Sequence, residues 1–213
     1  PMHHIPNSEP SGKAGHASNV IFLTCDAFGV LPPVSKLTTE QALYHLVTGY
    51  TAKVAGTEQG ITEPTVTFSQ CFGGAFMPLP ARKYAELFQK KIERHDVSVY
   101  LVNTGWTGGA YGVGKRMDIT ATRQIVSSIL DGSIKSSEFS APDKHFQLSF
   151  PLTLKGVEPS VLDPSQAWAD KAAFEETCTK LASMFKANFR KYEKDEFMAK
   201  VASVGPGHDA LLQ

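Results

Sequence analysis

The residues with the most chemical promise lie between Val97 and Thr122, VSVYLVNTGWTGGAYGVGKRMDITAT. An apolar, β-branched run from Val97 to Val102 predicts a strand, and the glycines Gly105, Gly108, Gly109, Gly112 and Gly114 follow it, then Lys115-Arg116, then a helical pattern. Strand, glycine loop, basic pair and helix is an order that presents backbone N–H groups and positive charge to a phosphorylated or nucleotide ligand. Gly109 to Lys115 even fits GxxxxGK, but a P-loop places Ser or Thr next, to coordinate Mg²⁺, and here the residue is Arg116. A guanidinium carries only donors and cannot stand in for that hydroxyl. The segment is therefore a poor phosphate cradle and a candidate for contacting another part of a nucleotide. Two readings of Arg116 follow: a surface arginine paired with Asp118 or Asp131, or a ligand contact, because open α/β sheets bind ligands at the carboxyl ends of their strands.

Other residue types with chemical potential have plainer explanations. Cys25-Asp26 after an apolar run has the form of a nucleophile with a base, but spacing ties no histidine to the pair, so a core thiol is favoured. Glu58 and Glu63 form a potential carboxylate pair that reads better as solvated loop charge. His3-His4 in an extended segment point to opposite faces, which argues against a shared metal. No partner for His16 or His45 can be named from spacing.

The elements that must position these residues follow from periodicity. Val20 to Cys25 is a continuous apolar run that predicts a strand buried on both faces. Thr38 with Gln41 makes a capping box for a helix with the apolar face Ala42, Leu43, Leu46 and Val47, ending near Gly49. Tyr50 to Gly60 reads as a mobile loop, and Thr62 to Pro80 as strands with a bend. Ala81 to His95 predicts an amphipathic helix with Tyr84, Leu87, Phe88 and Ile92 on its apolar face. Ile119 to Leu130 predicts another, capped by Asp118 or Thr120. Ser136 to Ser165 reads as connector with a strand at Phe146 to Phe150. Ala167 to Tyr192 reads as a long helix facing inward through Phe174, Leu181, Phe185 and Phe189, and the chain from Gly205 onward as frayed.

Composition narrows the function classes. The 213 residues are 42% hydrophobic and 20% charged, in the range of an α/β domain. Lys+Arg 21 balance Asp+Glu 21, which leaves no broad basic surface for a nucleic-acid backbone, so no nucleic-acid partner is expected. The three cysteines, Cys25, Cys71 and Cys178, lie far apart without CxxC spacing and read as reduced thiols of an intracellular protein. No apolar run approaches the roughly 20 residues of a membrane helix, and no membrane partner is expected.

Longer strings carry the reading further. Asn19 to Val34 (NVIFLTCDAFGVLPPV), Tyr50 to Pro64 (YTAKVAGTEQGITEP), Phe68 to Phe76 (FSQCFGGAF) and Leu101 to Trp106 (LVNTGW) with Gly114-Lys115-Arg116 closely resemble the carboxyl-terminal part of ATP-dependent phosphoenolpyruvate carboxykinase, in the same order and over nearly the whole chain. The resemblance implies an α/β fold, a mixed sheet with flanking helices, of which residues 1–213 form the ATP-binding carboxyl-terminal portion. It also implies a reaction: oxaloacetate and ATP give phosphoenolpyruvate, CO₂ and ADP, with Mg²⁺ and Mn²⁺ as helpers. The family's P-loop, its metal ligands and its oxaloacetate-gripping arginines match nothing here and belong upstream of Pro1. The isolated chain is thus expected to hold no catalytic residue and no metal.

By the same resemblance the adenine pocket falls on Arg116, Met117 and Thr122, and the family's lid on Gly56, Glu58 and Gly60. Guanidinium, thioether and hydroxyl suit a flat purine, a polarizable wall and a hydrogen bond in turn. Between Trp106 and Lys115 the chain departs from the bacterial pattern, with Gly109-Ala110-Tyr111-Gly112-Val113 as the addition. Longer loops of this kind are a feature of kinetoplastid members, so the implied compartment is cytoplasmic or glycosomal. A homodimer of the full-length protein is one arrangement the resemblance allows, and the sequence leaves the oligomeric state open. A non-catalytic nucleotide-binding or dimer-forming module of the same fold is the alternative.

Overall fold

A computed structural model describes residues 1–54, 56 and 59–207. Its central sheet has the order β1-β5-β2, with β1 at Asn19–Thr24, β2 at Val34–Leu37 and β5 at Ser98–Asn103. β1 runs parallel to β5, in register from Asn19 opposite Ser98 to Thr24 opposite Asn103, and β2 runs antiparallel on the other side. The sheet is mixed, as expected. Strands β3 (Tyr50–Lys53) and β4 (Thr65–Phe68) form one antiparallel hairpin, and β6 (Trp106–Thr107) and β7 (Lys115–Arg116) another.

The continuous apolar sequence of β5 has a direct cause: it is the central strand and both of its faces are covered. Val99 and Leu101 join a core with Phe22, Leu43, Val47, Ala85, Leu181 and Phe185, while Tyr100 and Val102 join a second with Ile125, Ile129, Ile134 and Leu162. The first core lies under α1 (Thr39–Thr48), α2 (Ala81–Arg94), α5 (Lys171–Phe189) and α6 (Glu196–Ala202), the second under α3 (Ile119–Leu130) and the short α4 (Pro159–Leu162). The α1 capping box is present in full, with Gln41 N–H donating to Thr38 Oγ1 at 3.2 Å and Thr38 N–H to Gln41 Oε1 at 2.9 Å. Gly49 ends that helix at φ 53° and passes so close to the Ser69 carbonyl that a Cβ would lie 1.8 Å from its oxygen. Among the described residues no helix is long and apolar enough to cross a membrane.

Several expectations need correction. β1 is not buried on both faces: Phe22 and Thr24 are buried, but Leu23 is 59% exposed, on a strand paired only with β5 among the described residues. The segment expected as a mobile loop begins with β3, because Tyr50 to Lys53 pair with Phe68 to Thr65. On α2 the inward residues are Ala81, Ala85 and Ile92 with Phe88 beside them, while Leu87 is exposed; small alanines carry the close contact that larger side chains were expected to make. Phe146 to Phe150 is not a strand. The Asp143 carboxylate accepts the N–H groups of His145, Phe146 and Leu148, which removes two of that run's own ladder donors, and Gln147 takes φ 59°. The long helix starts at Lys171 and not Ala167, capped by Asp170, whose carboxylate accepts from Ala172 and Ala173. From Gly205 to Gly207 the chain is packed, not frayed: a Cβ on Gly205 would lie 2.1 Å from the Tyr44 ring, and Gly207 N–H donates to the His145 carbonyl at 2.9 Å, while the rest of the segment expected to fray, residues 208–213, lies outside the described residues.

Candidate functional site

The parallel pairing of β1 with β5 brings their carboxyl ends side by side, and the chain leaving each end is tied to the other. Asn103 Oδ1 accepts from Asp26 N–H at 3.0 Å and Gly105 N–H at 2.8 Å, while its amide donates to the Leu31 carbonyl at 3.1 Å. The Asp26 carbonyl accepts from Trp106 N–H at 2.8 Å. Gly105 permits this approach, since a Cβ would sit 2.2 Å from Asp26 backbone atoms. The fully buried Asp26 carboxylate accepts from Phe28 N–H and Tyr50 O–H on Oδ1 and from Val30 and Leu31 N–H on Oδ2. Burial pushes this carboxyl up, and its donors pull it back toward the ionised form. The Cys25 thiol is also buried and pushed up by desolvation. The pair is structural and offers no free nucleophile or base.

After β5 the chain does not run through a glycine loop straight into a helix. It folds back as the β6–β7 hairpin, with Trp106 opposite Arg116 and Thr107 opposite Lys115, and the glycines fill the hairpin loop. Val113 and Gly114 N–H both donate to the Ala110 carbonyl, so these amides close a turn instead of facing outward. Gly109 rests against Gly29, where a Cβ would come 2.4 Å from the Gly109 carbonyl oxygen, and Trp168 Nε1 donates to the Gly29 carbonyl at 2.8 Å. The glycines serve backbone-to-backbone packing first.

Arg116 is exposed on β7. Its Nε donates to the Thr104 carbonyl at 3.1 Å and its guanidinium carbon lies over the Trp106 ring, 5.5 Å from the centroid. Neither aspartate of the surface-pair reading holds it among the described residues: Asp118 caps α3 by accepting from Thr120 N–H at 2.6 Å, and Asp131 accepts from Ser133 N–H at 2.8 Å. Met117 is half-buried, its N–H donating to the Gly105 carbonyl at 2.8 Å. Thr122 stands on the first turn of α3, its hydroxyl donating to the Asp118 carbonyl at 3.1 Å, which leaves that oxygen able to accept. The three residues assigned by resemblance therefore lie on one continuous β7-to-α3 segment rooted at the carboxyl end of β5.

Gly56 and Gly60, both at φ 82°, lie on the connection between β3 and β4. Glu58 lies outside the described residues. The root of that hairpin is tied to the same strand end, with Thr24 Oγ1 donating to the Tyr50 carbonyl at 2.7 Å and Tyr50 O–H to Asp26 at 2.9 Å. Glu63 is exposed, as are His3 and His4. His16 stacks on His95 with centroids 3.6 Å apart, and burial drives His45 down to about 4. No group of three or more His, Cys, Asp or Glu among the described residues could hold a metal ion. Sequence reasoning named no role for Trp106, Thr104 or Asn103; an Asn-Thr-Gly at a strand end, with a tryptophan and an arginine flanking the glycines, was the available signal.

Fold and site together define an α/β protein with a basic, aromatic-backed candidate ligand site at the carboxyl ends of parallel strands. A family model described as phosphoenolpyruvate carboxykinase matches residues 1–160. The chain belongs to the ATP-dependent phosphoenolpyruvate carboxykinase family. It is 57% identical over 206 residues to phosphoenolpyruvate carboxykinase (ATP) of Sulfurimonas denitrificans, covering 97% of this chain and 39% of that protein. The enzyme of Campylobacter lari is 59% identical over the same shares, and that of Agrobacterium fabrum 52% over 97% of this chain and 38% of its own length. The chain thus spans about two fifths of the relatives it matches.

Proposed function

We propose that the full-length protein carrying this chain is an ATP-dependent phosphoenolpyruvate carboxykinase, and that residues 1–213 supply its base pocket and lid. The observation that carries the reading is the family match joined to Arg116, a planar cation already held against Trp106 and the Thr104 carbonyl at the strand ends. In the reaction oxaloacetate loses CO₂ to leave an enolate, whose oxygen takes the γ-phosphoryl group of ATP. Phosphoryl transfer depends on positioning and on neutralising charge. The described residues do not fit a divalent metal, so no step of the metal is assigned to this chain. Its own residues orient the nucleotide and exclude water. Arg116 and Met117 pack on the base, and Thr122 Oγ1 accepts a hydrogen bond from its amino group. The segment with Gly56, Glu58 and Gly60 closes over the reactants, the glycines absorbing the dihedral change and the closure keeping water from the enolate. Oxaloacetate and phosphoenolpyruvate are the partners of the whole enzyme. The matching relatives named above are bacterial, from cells without glycosomes, which favours the cytoplasmic over the glycosomal compartment.

The test is direct. The full-length protein with oxaloacetate, ATP and Mn²⁺ should form phosphoenolpyruvate, and the 213-residue chain alone should form none. Failure of the first would remove the activity; turnover by the chain alone would show that its own residues carry the chemistry.

A further inference from the structure

The arrangement around Arg116 has a member to which neither the family match nor the resemblance gives a role. Trp106 faces Arg116 directly across the two-stranded β6–β7 ladder, on the same side, where cross-strand side chains approach most closely. The indole is only 8% exposed, and its backbone N–H is bonded to the Asp26 carbonyl at the strand ends. Arg116 is exposed, yet two fixed groups restrain it: the Trp106 ring under its guanidinium and the Thr104 carbonyl accepting from Nε. Tyr111, from the loop of the β6–β7 hairpin, leans edge-on against the indole, its ring 6.1 Å from that of Trp106 at 79°. The side chain of Tyr111 is itself 55% exposed, so the hairpin loop delivers an aromatic to the indole and not to the core.

An unrestrained surface arginine samples many rotamers, and ordering it when a ligand arrives weakens binding. Here the order exists before the ligand does. We propose that Trp106 is a positioning residue for the nucleotide base, holding the Arg116 guanidinium in place so that the base meets a planar cation already oriented. The inference rests on the reading of Arg116 as a base contact. Lysine would not serve, because it has no planar head to lie over the ring while one of its nitrogens bonds the Thr104 carbonyl.

The experiment measures the affinity of the full-length enzyme for ATP and, separately, for inorganic tripolyphosphate, which has the phosphates and no base. Trp106→Leu should weaken ATP about two- to fivefold and leave tripolyphosphate unchanged. Trp106→Phe, which keeps a ring, should stay within about twofold of the parent. Arg116→Ala should weaken ATP at least as much as Trp106→Leu, and the double variant no more than Arg116→Ala alone. Because Trp106 is buried and its leucine variant risks misfolding, Arg116→Lys gives an independent test on an exposed side chain. It should lose nearly as much ATP affinity as Arg116→Ala. If Arg116→Ala weakens ATP while Trp106→Leu does not, or if Arg116→Lys binds ATP like the parent, the positioning role is overturned and the base contact stands. A Trp106→Leu loss shared equally by ATP and tripolyphosphate also overturns it, marking a merely structural tryptophan. If Arg116→Ala leaves ATP affinity unchanged, the base-contact reading falls and the positioning role with it.

Discussion

Asp26→Asn removes one oxygen from the carboxylate that ties together the loops at the strand ends. The carboxylate takes four donors, two on each oxygen, at 2.7 to 2.9 Å: Phe28 N–H, Tyr50 O–H, Val30 N–H and Leu31 N–H. An asparagine has one carbonyl oxygen, so in either orientation two donors lose their acceptor and face an NH₂ group instead. Each buried donor left unmade costs about 1 to 3 kcal/mol, so the substitution should cost about 2 to 6 kcal/mol. The loop from Phe28 to Leu31 carries Gly29, on which the glycine hairpin rests, so the loss is felt at the candidate site. Hydrogen exchange read by mass spectrometry on the peptide spanning Phe28 to Leu31 is the assay, in the full-length enzyme. At the lower bound of about 2 kcal/mol, exchange should accelerate about thirtyfold. Exchange within about twofold of the parent would instead show that the folded protein holds Asp26 as a neutral acid, for which asparagine is a close mimic.

Burial holds His45 down at about 4 against an ordinary 6.5, so the folded protein gives up stability as pH falls below 6.5. The loss should approach about 3 kcal/mol near pH 4, and His45→Leu should flatten that part of a plot of thermal midpoint against pH; an unchanged slope would exclude His45 as its source. Gly56 has φ 82°, out of reach of proline, so Gly56→Pro in the full-length enzyme should lower kcat while leaving ATP affinity nearly intact; a parental kcat would rule out the lid. If Thr122 accepts from the base as proposed, Thr122→Val should raise the KM for ATP about two- to tenfold with the KM for oxaloacetate unchanged, whereas no change for ATP would take Thr122 out of the pocket.

Much of the fold was legible because local and global signals agree in particular elements. The capping box at Thr38 and the αL glycine at Gly49 bracket α1, and Asp118 and Leu130 bracket α3 where periodicity placed them. Signals failed where a tertiary partner overrode them. The Asp143 carboxylate took N–H groups from the run at Phe146, and alanines rather than Leu87 turned inward on α2. The site divides along the same line. A basic residue after a glycine loop was enough to single out Arg116, but antiparallel pairing of two-residue strands with Trp106 leaves no periodic trace. The glycines read as a loop presenting backbone to a nucleotide, and the structure uses them to let Gly29, Asp26 and the hairpin backbone touch.

In the proposed function, Arg116 holds the base of ATP. A guanidinium packed on adenine contributes about 1 to 2 kcal/mol, so Arg116→Ala in the full-length enzyme should raise the KM for ATP about five- to thirtyfold. The KM for oxaloacetate should stay at the parental value. Equal increases for ATP and oxaloacetate, or no increase for either, would take Arg116 out of the base pocket.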